Sequence, residues 1–184
     1  MKEELIDIVT EQGKPTGKTA LKLEIHKKGY FHNTAHIWLY TKNGDILLQQ
    51  RAKSKLVYPL LWDVSVAGHV DAGETVTEGA IREIKEEIGL TLKENNLTKI
   101  GVFNCFKTYN KKFIDNEFHH TFIAELNVSI NELIPQKEEV EALKLVTINE
   151  FKLLLKHSTT NSHFVATNSN YYLEVLKHIK LQLA

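Results

Sequence analysis

Two apolar runs flank a polar pair in HIWLYTKNGDILLQQR, residues 36–51. Asn43-Gly44 at the centre is the strongest short hairpin signal, because both residues accept the positive φ that a two-residue turn needs. A β-hairpin is therefore predicted there. Further strands are expected at 4–10 (ELIDIVT), 62–67 (WDVSVA) and 141–148 (EALKLVTI). Two more are expected at 97–110 and 117–128, joined by the polar KKFIDN. EQGKPTG, with Gly13, Pro15 and Gly17, supplies turn chemistry. Short helices are expected over 18–27 and 149–157. Residues 171–183 repeat apolar side chains at helical spacing and should form a terminal helix, after a polar connector at 158–170. Strands on both sides of one internal helix predict a mixed sheet with helices packed against it.

That internal helix has the clearest pattern. Val76, Ala80, Ile84 and Ile88 step by four residues into one apolar stripe. Thr75 followed by Glu78 is a capping-box start, and Gly89 is a natural stop. At roughly 100° per residue, Glu83, Glu86 and Glu87 fall on one strip beside the stripe. Glu78 and Arg82 are spaced to pair at i, i+4. Acidic helix faces are usually just solvated. Here a glycine-bounded loop, GHVDAG, precedes the helix, and three carboxylates crowd one strip. A hard divalent cation accounts for both. Magnesium takes oxygen ligands and keeps room for substrate phosphates, and with no cysteine nearby zinc is disfavoured.

Composition narrows the class. The 184 residues suit a single domain, with a C-terminal helical extension over about 150–184. Apolar residues are 42% and charged residues 25%, ordinary for a soluble globular protein. Lys+Arg and Asp+Glu each number 23, which argues against a nucleic-acid or membrane surface but permits a local basic pocket. The single cysteine, Cys105, excludes a disulfide within the chain and suggests a cytoplasmic setting. No signal peptide and no membrane-spanning run is apparent.

Gly68, then five residues, Glu74, seven residues, and Arg82-Glu83-Ile84-Lys85-Glu86-Glu87-Ile88-Gly89-Leu90 fill every position of a Nudix box over residues 68–90. The segment resembles the catalytic loop-helix-loop of Nudix hydrolases, which cleave diphosphates linked to a further group. The resemblance implies an α/β fold, the Nudix α/β/α sandwich with a mixed β-sheet. It implies Gly68 (through its carbonyl), Glu83, Glu86 and Glu87 as metal ligands, with Mg2+ or Mn2+ as the ion. Glu86 is also implied as the group that activates water, Arg82 as the residue that orients Glu83, and Glu74 as a support between loop and helix. The family often adds an acid from outside the box, for which Glu138, Glu139 and Glu141 all lie in range.

Residues 32–74, with IDNEFHHTFIAEL, also resemble isopentenyl-diphosphate isomerases, a branch of the same superfamily, over roughly residues 26–150. That likeness implies a separate metal site at His32, His69, Asp115 and Glu117, with His26 close to a further position. It implies diphosphate binding by Arg51 and Lys55. His26, His32 and His36 also read simply as surface or strand histidines. The isomerases place a catalytic cysteine just before the Gly-His of the box, where this chain has Ala67 in SVAGHV. Alanine neither gives nor takes a proton, so the expectation is a hydrolase on an isomerase-like frame, acting on a small-molecule diphosphate. The isomerase and a non-catalytic diphosphate-binding module are the alternatives.

Overall fold

The computed structural model of the chain describes residues 4–110, 113–158 and 169–184. Its centre is a mixed sheet built on β3 (Phe31–Tyr40). One edge of β3 pairs in parallel with β8 (Phe113–Glu125), which pairs antiparallel with β7 (Thr98–Asn110). The other edge is shared. β4 (Ile46–Arg51) joins it at the predicted hairpin, and β6 (Val66–His69) takes the rest. β5 (Trp62–Asp63) and β9 (Val140–Val146) both pair with β4. β1 (Leu5–Val9) and β2 (Pro15–Leu21) form a separate two-stranded ribbon.

Alternation along the strands gives the sheet two apolar faces. Ala35, Ile37, Leu39, Val66, Phe122 and Ala124 point to one, where Ala80, Ile84 and Ile88 of α2 (Val76–Ile88) seal the core. Trp38, Tyr40, Leu48 and Ile123 point to the other, under α3 (Ile148–Lys156) and α4 (Ser169–Leu183). Ile84 and Ile88 are fully buried, each stabilising the fold by about 1.5–3 kcal/mol. The result is the expected α/β/α sandwich with a C-terminal helix.

Several elements depart from the sequence reading. The helix expected at 18–27 is α1 (Lys22–Lys28) alone, because Lys18 to Leu21 pair with Ile8 to Leu5. Pro15 and Gly17, read as turn residues, belong to that same strand. WDVSVA is two strands, not one. Its first half pairs with β4 and its continuation with β3, and the chain crosses between them at Ser65. The Ser65 hydroxyl accepts from Leu39 N at 2.8 Å and donates to Leu47 O at 2.6 Å, which satisfies both strands at the crossing. Of the polar connector KKFIDN, Phe113 to Asn116 already belong to β8, while residues 111–112 lie outside the described residues. So does most of the connector expected at 158–170. Among the described residues no helix is long and apolar enough to cross a membrane.

Candidate active site

The N-terminus of α2 is set by the capping box foreseen: Thr75 Oγ1 accepts from Glu78 N at 3.2 Å, and Glu78 accepts from Thr75 N at 2.8 Å. Glu78 is thereby used up, and Arg82 does not pair with it. Arg82 instead reaches back over the loop. Its Nε and Nη2 grip both oxygens of Glu74 at 2.9 Å, and Nη2 also donates to His69 O at 2.8 Å. Its Nη1 donates to Glu83 at 2.7 Å and to Glu86 at 3.1 Å. Burial opposes the Arg82 charge, but Glu74 and Glu83 outweigh it and hold the proton more firmly than usual. A bidentate guanidinium that also ties down a carbonyl fixes geometry as well as charge. Glu74 completes the brace by accepting from Asp71 N at 3.1 Å.

The three box carboxylates do not share one environment. Glu87 is 4% exposed, whereas the Glu86 side chain is 54% exposed. Glu83 lies against Gly68 so closely that an added Cβ there would overlap its carboxyl carbon and both oxygens. Gly68 is thus required for space. Glu87 accepts from Ala67 N at 3.3 Å. Burial, then the Glu83 charge, push Glu87 up to about 8, and burial also raises Glu83. Two carboxylates pressed together in a dry site favour protonation, unless a cation enters. That is the charge imbalance a bound divalent ion would correct.

Basic groups stand beside them. Arg51 donates to Val57 O at 3.0 Å and to Asp63 at 3.1 Å. Lys55 pairs with Glu139, which singles out Glu139 among the three acids outside the box. The Glu138 carbonyl accepts from the Ser54 hydroxyl at 3.2 Å, and Glu141 accepts from Lys53 N at 3.4 Å. Burial and the neighbouring Arg51 lower Lys55 to about 8, although Glu87 pulls it the other way. Sequence reading missed Lys22 and Glu4. They pair at 2.8 Å, and Lys22 acts electrostatically on both His69 and Lys55. No local motif marks either residue, because the β1–β2 ribbon carries them into place.

On the sheet face opposite α2, the histidines converge. Ring nitrogens of His26, His32 and His69 and a Glu117 oxygen all lie within 4.8 Å of one another. His26 therefore belongs to the group itself. Asp115 joins it through His26, its Oδ1 2.7 Å from Nδ1 but off hydrogen-bond alignment. Buried atoms His32 Nε2, His69 Nε2 and Asp115 Oδ1 have no hydrogen-bond partner among the described residues. Unpaired buried polar atoms are costly, and several aimed at one volume fit a metal ion. Burial, with Lys22 and His32 adding to it, holds His69 well below the usual histidine range, so it stays neutral and able to ligate. The Glu117 carboxylate is shared: Oε1 faces His32 Nε2 at 3.5 Å and Oε2 meets His119 Nε2 at 2.8 Å. His36, read as a surface or strand histidine, stacks on His119 with centroids 3.8 Å apart and packs against Tyr171. The period-two spacing of Asp115, Glu117 and His119 along one strand face was a signal for His119 that sequence reading passed over. Cys105 lies opposite Glu117 in the β7–β8 register and touches His119.

A family model described as the NUDIX domain matches residues 30–167, which contain the loop and α2 whole. Nudix hydrolase 3 of Arabidopsis thaliana is 36% identical over 160 residues, covering 84% of this chain but only 21% of that protein. An isopentenyl-diphosphate Delta-isomerase of Corynebacterium diphtheriae is 30% identical over 186 residues, covering 98% of this chain and 96% of that one. In three dimensions the chain superposes on DR0079 from Deinococcus radiodurans with a TM-score of 0.69 at 18% identity, over 97% of this chain and 98% of the other. The domain match spans more than half the chain and includes every position of the braced loop and helix, so the chain belongs to the Nudix hydrolase family.

Proposed function

We propose that the chain, as one Nudix domain, is a metal-dependent pyrophosphohydrolase that cleaves the diphosphate linkage of a nucleoside diphosphate derivative or related organic diphosphate. The observation that carries this reading is the pair of carboxylates, partly buried Glu83 and buried Glu87, held against Gly68 and Ala67 beside the cationic Arg51 and Lys55. Glu83, Glu86, Glu87 and the Gly68 carbonyl would hold magnesium or manganese. Bound there, the ion would neutralise the diphosphate and lower the pKa of water. Arg82 positions Glu83 and Glu86. Half-exposed Glu86 is placed to take the proton of attacking water. Arg51 and Lys55 bind diphosphate oxygens, and Glu139 is the acid from outside the box. Turnover should vanish on exhaustive chelation and return with magnesium or manganese; full turnover by the stripped protein would contradict the proposal. A panel of nucleotide sugars, dinucleotides, nucleoside triphosphates and prenyl diphosphates then identifies the substrate.

The histidine group favours a second, separate ion held by His26, His32, His69 and Glu117, with Asp115 beside them. Imidazole nitrogens with a carboxylate suit a borderline transition metal better than magnesium. This frame does not make the chain an isomerase. Moving a double bond requires a proton onto one carbon and off another, and Ala67 has none to exchange. No deuterium is expected to enter the allylic product when isopentenyl diphosphate is incubated with the protein in deuterated water and followed by NMR. Enzyme-dependent incorporation would overturn this and direct attention to Ser65 and Cys105 as substitute acids.

A further inference from the structure

The segment between β4 and β5, residues 52–61, runs from the cationic patch to β7, the far strand of the sheet. At its start it carries Lys55, tied to Glu139 near α2, while Val57 O accepts from Arg51. Beyond that, Tyr58 reaches the far strand of the sheet, β7. There the Tyr58 hydroxyl accepts from Lys107 Nζ, and Nζ lies 4.9 Å from the Tyr58 ring centroid and 5.3 Å from that of Tyr109. The two tyrosine rings meet edge to face at 5.7 Å. Tyr109 packs on Phe113 at 5.8 Å, and Phe113 stacks on His26 at 4.5 Å. The 52–61 segment and this chain of rings thus connect the cationic patch, the Tyr58–Lys107–Tyr109 cluster and the histidine group.

Tyr58 and Leu60 hold left-handed φ values of 51° and 62°, which bulky L-residues avoid. Such strain persists where the surroundings impose it, and it gathers at ligand clamps. Here the Leu60 N to Arg51 O hydrogen bond of 3.0 Å anchors the chain, and Tyr58 is drawn onto Lys107. Hydrogen-bond supply in the cluster is one-sided. An ammonium has three donors and no acceptor. Tyr58 oxygen takes one of them and leaves its own proton to give away. No carboxylate lies within ion-pair distance of Lys107 among the described residues; Asp115, its register partner, faces His26. A half-buried cation and a hydroxyl with donors to spare call for an oxyanion.

We propose that Tyr58 and Lys107 form the subsite for the group attached to the diphosphate, and that this group carries a second anion, a carboxylate or phosphate. This rests on the diphosphate reading and extends it to the substrate class. A hydrocarbon in the same place would strand the Lys107 ammonium without a partner, so purely prenyl groups are rejected.

Mevalonate 5-diphosphate and isopentenyl diphosphate test this directly: both carry the diphosphate on a short methyl-branched chain, of six carbons and five, and the first adds a tertiary hydroxyl and ends in a carboxylate. Their affinities, with that of inorganic pyrophosphate, are measured by calorimetry in calcium to suppress turnover. The wild type should prefer the carboxylate-bearing ligand by about tenfold or more, the scale of one or two charge-assisted contacts. Lys107→Met should abolish that preference while leaving isopentenyl diphosphate and pyrophosphate unchanged, and Lys107→Arg should restore most of it. If pyrophosphate binds but the wild type shows no preference, or if Lys107→Met weakens all three ligands alike, the subsite is wrong and the diphosphate reading stands. If pyrophosphate itself fails to bind, both fall.

Discussion

Glu87→Gln is expected to lower kcat by about two or more orders of magnitude while leaving the protein folded, and Glu86→Gln to do the same. Glutamine keeps the shape of each side chain and removes its charge. For Glu87 the two consequences separate cleanly. Its carboxylate is 4% exposed and pushed up to about 8, so the ionised form burdens the metal-free fold. Glutamine still accepts from Ala67 N without that burden, so thermal stability without metal should hold or rise while activity collapses. Metal should then stabilise the variant less than it stabilises the wild type. Glu86 is largely solvated, so its loss should barely move the melting temperature of the metal-free protein and should appear in kcat and in metal affinity. Near wild-type kcat in both variants would show that the site lies elsewhere.

Gly68→Ala is expected to cost about a hundredfold in kcat/KM, because displacements near 1 Å in a reacting constellation carry losses of that order. Gly68 is not among the glycines with positive φ, so the backbone itself accepts alanine. The obstacle is the Glu83 carboxylate, which occupies the space the methyl group needs. Glu83 must move, and Arg82, bonded to it at 2.7 Å, must re-aim or let go. The loss should come with weaker metal binding, read by titrating activity with magnesium, and with little change in far-ultraviolet circular dichroism. A variant with unaltered metal affinity and kcat/KM would mean that Glu83 does not serve as a ligand.

What the sequence determined by itself is what neighbours in the chain settle between them. The start of α2 at Thr75 and its stop at Gly89, in the left-handed conformation with φ 71°, are capping chemistry within a few residues. Its buried stripe follows from helical periodicity, and the hairpin around Asn43-Gly44 from turn chemistry, although the connection is a loop over residues 41–45 in which Gly44 takes a positive φ and Asn43 does not. The box positions are a matter of spacing alone, so the loop, the helix and its carboxylates are legible in residues 68–90 by themselves. Tertiary structure decided wherever partners are distant or compete. Residues 18–21 are strand because β1 offers hydrogen bonds to pair with, which outweighs a weak local helix preference. Arg82 ignores Glu78 because the cap has already taken that carboxylate, and the loop folds Glu74 into its reach. Glu139, rather than Glu138 or Glu141, meets Lys55 through the register that sets Arg51 against Val140. The histidine group draws on α1, β3, β6 and β8, and the strap from β4 touches β7 on the far side of the sheet. Those meetings arise from strand order and register, and no window of the chain short enough to show periodicity contains both partners.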